Sequence, residues 1–254
     1  SSDNCGATDS LTSGQASGTT FPVGSTPTSI TATDGAGNTA TCGFTVSVTD
    51  TENPSFSTCP SNINTGTDAG VCTAVVTYST VSGDNCAVIT GGQNAGLPSG
   101  SPFPLGPTLN DFIANDAAGN SGSCSFTVTV NDDESPSYTG CPPDPTVLPN
   151  DAGQCSAVFS FSPSANDNCG VTSDTQTAGL SSGSAFPVGS TTNTFTASDA
   201  AGNTAGCQFV VGVQDVEDPS ITCPSSFSVN NDAGACSAVV TYSLPTSDNC
   251  AVVS

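Results

Sequence analysis

From Cys124 to Val130 apolar and polar residues take turns. Cys124, Phe126, Val128 and Val130 fall on one side, Ser125, Thr127 and Thr129 on the other. A period of two predicts a strand with one buried face. The stretch after Cys72 alternates in the same way, placing Cys72, Ala74, Val76 and Tyr78 opposite Thr73 and Thr77. The phase holds at Cys155, Ala157, Phe159 and Phe161, and at Cys236, Ala238, Val240 and Tyr242. A further strand points Phe112 and Ala114 inward, matching Ile30 with Ala32 and Phe195 with Ala197. Asn53-Pro54 opens a short extended stretch to Cys59-Pro60, where proline suits an edge or a strand start. Cys86-Ala87-Val88 begins another strand, after which Gly, Gln, Asn and Ser read as irregular chain. Asp-Ala-Gly at Asp68, Asp151 and Asp232 marks turns. No segment carries a helical period. Short β-branched strands punctuated by Gly and Pro indicate an antiparallel β-sandwich.

These elements recur. Asp-Asn-Cys ends at Cys5, Cys86, Cys169 and Cys250, separated by 81, 83 and 81 residues. Cys-Pro recurs at Cys59, Cys141 and Cys223, and Phe-Pro-(Val/Leu)-Gly begins at Phe21, Phe103 and Phe186. Asp-(Gly/Ala)-Ala-Gly-Asn begins at Asp34, Asp116 and Asp199. Four markers in phase define a tandem array of one module, each long enough to hold its own small core. The expected division is the C-terminal part of a module over 1–50, complete modules over 51–132 and 133–215, and the N-terminal part of a module over 216–254. Because the first residues fall in mid-module, the sequence reads as a piece of a longer polypeptide or a processed product.

Composition narrows the chemistry. The 13 cysteines fall four to a full period, none as Cys-x-x-Cys, and there is no His to complete a mixed zinc site. Structural disulfides in an oxidising, extracellular setting are the expectation, secreted or at a cell surface. Lys and Arg are absent against 22 acidic residues, a formal charge of -22. Nothing in the chain can neutralise phosphate, which excludes nucleic acid. There is no basic patch for anionic lipid, and no apolar run spans a membrane. Without His or Lys there is no imidazole base, serine-type triad or Schiff base, so no enzyme is expected.

The Pro-x-x-x-x-Cys-Pro opening, Asp-Asn-Cys, Phe-Pro-(Val/Leu)-Gly and Asp-Ala-Ala-Gly-Asn-x-x-x-Cys-x-Phe-x-Val-x-Val together resemble the HYR (hyalin repeat) domain, across essentially the whole chain. The resemblance implies immunoglobulin-like sandwiches in tandem within extracellular proteins linked to adhesion. It brings no catalytic residues. The total lack of basic residues is a departure from the family.

Four cysteines per module allow three pairings. Cys59 and Cys72 sit symmetrically about the Asp68 turn, and Cys86 and Cys124 flank loops at one pole. The expected bridges are therefore Cys59–Cys72 and Cys86–Cys124. In phase with them come Cys5–Cys42, Cys141–Cys155, Cys169–Cys207 and Cys223–Cys236, leaving Cys250 single.

The acids gather between modules, at Asp50 and Glu52, at Asp132, Asp133 and Glu134, and at Asp215, Glu217 and Asp218. In an immunoglobulin-type sandwich the Asp84 and Asp116 loops, with their counterparts Asp167, Asp199 and Asp248, lie where the chain enters. The Asp68 and Asp151 turns lie at the opposite pole, facing the next module. Carboxylates crowded in this way suit Ca²⁺ at the junctions. The same residues also suit tight turns and solvated linkers. The chain is thus expected to act as a structural fibre, stalk or filament whose partners are further modules or other copies of itself. The alternative is an adhesive array that binds a glycan or cell-surface protein through stretches such as Gly91 to Pro102, Gly6 to Thr20 and Gly170 to Ala185.

Overall fold

The computed structural model describes residues 6–250, and every regular element among them is a β-strand. In the repeat over 51–132 the main sheet is built on a hairpin. Gly106–Asp116 pairs antiparallel with Ser121–Asn131 through the Asp116 turn, from Gly106 opposite Val130 to Asn115 opposite Ser121. Val88–Ala95 joins the outer side of Gly106–Asp116, and Ile63–Gly66 lies parallel to Ser121–Asn131. That parallel strand is the one departure from an antiparallel sandwich. Thr73–Val76 pairs with Ser101–Pro104, and Ser55–Thr58 with Val81–Gly83.

The inward alternation decides the core. Ala74, Val76, Phe103, Phe112, Cys124, Phe126, Val128 and Val130 form one buried cluster, with Tyr78 edge-on to Phe103, Phe112 and Phe126. The repeat over 133–215 builds the same arrangement from Thr146–Pro149, Thr204–Gln214, Gly189–Asp199 and Val171–Ala178. There Phe161 takes the place of Tyr78 against Phe186, Phe195 and Phe209.

Val88–Ala95 corrects the sequence reading, which took the residues after Val88 as irregular. They look irregular because the strand lies at a sheet edge, shifts register against its partner between Asp111 and Phe112 and between Asn115 and Asp116, and carries polar side chains. One of these is structural. The Gln93 amide donates to Ala95 O, Leu97 O and Asn110 Oδ1, at 3.1, 2.9 and 3.2 Å. Asn110 is fully buried, accepts Leu97 N at 3.0 Å and donates to Thr108 O at 3.3 Å. Gln176 and Asn193 repeat the motif. Close approach fixes the neighbouring glycine: a Cβ on Gly179, at φ +93°, would lie 2.1 Å from Asn193 Oδ1.

The chain divides into two compact units, 1–66 with 73–131, and 67–72 with 132–254. The six residues Thr67–Cys72, the turn of one sequence repeat, therefore group with the repeat that follows. Residues 6–50 contribute a three-stranded sheet of Ala7–Ser13, Gly24–Asp34 and Thr39–Val48, and Ser220–Ile221 pairs with Thr246–Ser247.

Candidate functional site at the repeat junction

The sequence expectation for the disulfides is overturned. Cys59 bridges Cys124 and Cys141 bridges Cys207, each inside one repeat. Cys72 bridges Cys169 and Cys155 bridges Cys250, each joining the turn of one repeat to the Asp-Asn-Cys loop of the next. The expected Cys59–Cys72, Cys86–Cys124, Cys141–Cys155, Cys169–Cys207 and Cys223–Cys236 bridges do not form. Cys250, expected to be single, is paired, while Cys42, Cys86, Cys223 and Cys236 are free and exposed. Cys5 lies outside the described residues.

The reason lies in where each thiol faces. Cys124 shares the inward phase of Phe126 and is buried in the core, whereas Cys86 sits in a polar loop beside Asp84. The Asp68 turn, with Cys72, groups with the following repeat. Cys72 and Cys169 approach to a Cα–Cα distance of 4.7 Å.

Around this bridge the second unit assembles a compact lock. Asn168 Nδ2 donates to Thr67 Oγ1 and Val71 O, both at 3.1 Å. Both carboxylate oxygens of Glu134 accept Gly70 N at 3.1 Å. The next junction repeats the pieces: Glu217 Oε1 accepts Gly153 N at 2.7 Å, and Asn249 Nδ2 donates to Gln154 O at 2.9 Å. The linker glutamates Glu134 and Glu217 thus cap a neighbouring turn, where calcium ligation had been expected of them.

The junction acids divide into two groups. Ligand atoms of Asp132, Asp167 and Asp199 lie within 4.8 Å of one another, as do those of Asp50, Asp84 and Cys86. Asp199 is 5 % exposed, and its Oδ1 accepts Gly202 N and Asn203 N while Oδ2 accepts Asn203 Nδ2. Burial pushes its carboxyl up, but the bonds from Asn203 and the backbone of Gly202 and Ala201 outweigh it and hold the carboxyl below its ordinary range. Asp116 behaves alike through Asn120, Gly119 and Ala118. Asp167 Oδ2 accepts Cys169 N and Gly170 N, whereas its buried Oδ1 has no hydrogen-bond partner. Desolvation pushes the Cys86 thiol up, and Asp50, Asp84 and Asp116 add to it.

Other expected ligands do different work. Asp151 Oδ2 accepts Val158 N, Asp215 Oδ1 accepts Glu217 N, and Glu52 donates its N–H to Asp50 Oδ1. Asp133 is exposed, Asp68 sits in the turn it was assigned to, and Asp248 lines a shallow concavity with Glu217 and Asp218. Neither set of junction acids includes these residues or Asp116. The sequence reading missed the Asn110 and Asn193 clamps. Their signal was a polar residue at the inward position before Phe112 and Phe195.

The family profile of the HYR domain matches residues 1–48, 49–130 and 132–213. The chain belongs to the HYR family. Hyalin of Strongylocentrotus purpuratus is 32 % identical over 241 residues, covering 91 % of this chain and 20 % of that protein. Hyalin of Lytechinus variegatus is 32 % identical over 240 residues, covering 90 % and 45 %. The chain therefore spans less than half the length of these relatives. Among solved structures, protocadherin gammaB7 EC3-6 aligns at a TM-score of 0.33 and 13 % identity, covering 88 % of this chain and 70 % of that one. The human desmocollin-1 ectodomain aligns at 0.29 and 13 %, covering 85 % and 56 %. The HYR repeats of this chain are all-β, and their cores and bridges recur in register. Among the described residues no helix is long and apolar enough to cross a membrane.

Proposed function

We propose that this chain is a stretch of an extracellular HYR array that serves as a fibre or stalk, its successive repeats locked by disulfides. The observation that carries the reading is the bridge between turn and following loop, present at Cys72–Cys169 and again at Cys155–Cys250. A covalent tie at these two successive junctions, backed by Glu134 and Glu217, suits a part that bears load along its length. Disulfides of this density belong to an oxidising compartment, secreted or displayed at a surface. The partners are further HYR repeats and other copies of the chain. No catalytic role is proposed.

Calcium is part of this proposal. Asp132, Asp167 and Asp199 offer only hard oxygen donors, the unpartnered Asp167 Oδ1 is left for an ion, and the chain has no Lys or Arg to neutralise the group. Asp50 and Asp84 offer the same chemistry, but the adjacent Cys86 thiol is a soft donor and suits Ca²⁺ less. Titration calorimetry tests it: calcium binds the oxidised chain and raises its melting temperature, a chelator reverses the rise, and Asp167→Ala weakens binding. An unchanged melting temperature with no heat of binding removes calcium from the proposal and leaves the disulfide-locked array standing.

The adhesive reading draws on the edge position of Val88–Ala95, where a partner strand can add to the sheet. Electron microscopy of the protein in calcium separates the two. Long thin fibres support the structural role, and short particles that cluster cells or bind glycans support adhesion.

A further inference from the structure

Two loops of the second unit grip the segment Thr67–Cys72, and the same two loops carry acids of the junction trio. In the first loop Asp132 Oδ1 accepts Glu134 N at 3.3 Å, and the Glu134 carboxylate accepts Gly70 N. In the second, Asp167 Oδ2 accepts Cys169 N and Gly170 N at 2.9 and 3.0 Å. That loop presents Asn168 Nδ2 to Thr67 Oγ1 and Val71 O, and Cys169 to Cys72. The third acid stands on a firmer base. Asp199 closes the hairpin turn between Gly189–Asp199 and Thr204–Gln214, and Asn203 Nδ2 ties that turn to Asp132 O at 3.3 Å. Asp132 and Asp199 are 9 % and 5 % exposed, and Asp167 Oδ1 is buried without a partner. Ligand atoms of the three acids lie within 4.8 Å of one another, and the chain has no base to relieve them. Their repulsion pushes both loops away from the Asp199 turn, and a cation held among them reverses that push.

Resting on the calcium reading, we propose that the ion at Asp132, Asp167 and Asp199 and the Cys72–Cys169 bridge are coupled, each strengthening the other. An ion shared by the two loops and the Asp199 turn holds Cys169 where Cys72 meets it, at a Cα–Cα distance of 4.7 Å. It thereby removes freedom that the open thiols would otherwise gain. Opening the bridge in turn lets the Asp167 loop drift from the ion. Linkage makes the two effects equal. The factor by which calcium favours the closed bridge is the factor by which the bridge tightens calcium, about tenfold. The disulfide is thus firm in calcium and open to reduction without it. Reduction converts the bridge to two thiols with two electrons and two protons from two molecules of glutathione, which leave as one molecule of oxidised glutathione. The Cys59–Cys124 bridge includes no residue of these loops and takes no part in the coupling.

The full chain, its free thiols first alkylated, is the sample for the test. It is equilibrated in glutathione buffers of matched ionic strength, with calcium or with a chelator. A second alkylating agent then labels the opened cysteines for peptide mass mapping. The ratio of squared reduced to oxidised glutathione that half-opens Cys72–Cys169 should be about tenfold higher in calcium. The ratio for Cys59–Cys124 should stay where it was. Titration calorimetry should find calcium bound about tenfold more weakly when Cys72→Ser and Cys169→Ser are combined. Asp132→Asn keeps an acceptor for Glu134 N and removes one ligand charge. In that variant the bridge still forms, and calcium no longer shifts its ratio. If the oxidised chain binds no calcium by calorimetry, the calcium reading fails and the coupling falls with it. Three results overturn the coupling and leave the calcium reading standing. Calcium binds but the Cys72–Cys169 ratio does not move, the Cys59–Cys124 ratio moves as far, or Asp132→Asn responds to calcium as the parent chain does.

Discussion

Asn110 and Asn193 show what one buried polar side chain contributes. Each holds three hydrogen bonds at a site where apolar packing would leave a backbone N–H unpaired and take one acceptor from a glutamine amide. Asn193→Ala should lower stability by about 2–3 kcal/mol in urea denaturation, since the orphaned partners keep their desolvation cost. The equivalent position in the first sheet is Thr28, whose buried Oγ1 has no partner. Thr28→Val should therefore be neutral or stabilising, by up to about 1 kcal/mol on the same measurement. Titration adds a third outcome. Burial pushes the Tyr138 phenol up to about 12, and its 2.7 Å bond to Asp174 adds to the shift. In a near-ultraviolet titration Tyr138 should appear as a late component, and Tyr138→Phe should remove it. A raised folded pKa means its contribution to stability is full below about pH 10 and fades as pH rises toward the folded value. Asp116 and Asp199 run the opposite way. Their depressed pKa values give stability that is present above about pH 4 and lost as pH falls through the folded values. Asp199→Asn should accordingly cost more at pH 7 than at pH 3, as read from denaturation midpoints.

Among the elements, legibility followed the asymmetry of the two faces. Ser121–Asn131 is plain in sequence because one face meets a core and the other meets water, so its residues must alternate. Val88–Ala95 is held by a backbone ladder and by Gln93, neither of which writes a period into the side chains. The bridges were hidden for a different reason. Symmetry about a hairpin pointed to Cys59–Cys72, yet the inward phase of Cys124 already set it among core residues, out of reach of Cys86 in its polar loop. Junction acids were legible as a group, but which of them converge depends on a turn and a loop that only the fold brings together. Close packing between elements is equally invisible in sequence. A Cβ on Gly122 would lie 1.8 Å from Pro54 O, so Gly122→Ala should force the entering chain aside. The expected cost is about 1–3 kcal/mol, measured by thermal unfolding.

For the whole molecule, the lack of any basic residue sets the terms of association. Copies carrying a formal charge of -22 repel one another at low salt, so self-association should rise with calcium or with ionic strength. Sedimentation in chelator, in calcium and in high salt checks this. Reduction should matter more than local packing suggests, because Cys72–Cys169 closes a separation of 97 residues and Cys155–Cys250 one of 95. Chain entropy assigns a closure of that size about 4–5 kcal/mol. Cys72→Ser with Cys169→Ser should therefore lower the melting temperature of residues 132–250 by several degrees.

The bridge from one period to the next gives the array a bookkeeping rule for heredity. Gain or loss of a whole number of periods preserves the spacing between a turn cysteine and the Asp-Asn-Cys cysteine of the following repeat, as bridged at Cys72–Cys169 and Cys155–Cys250. Slippage by a fraction of a period strands reactive sulfur at the scar.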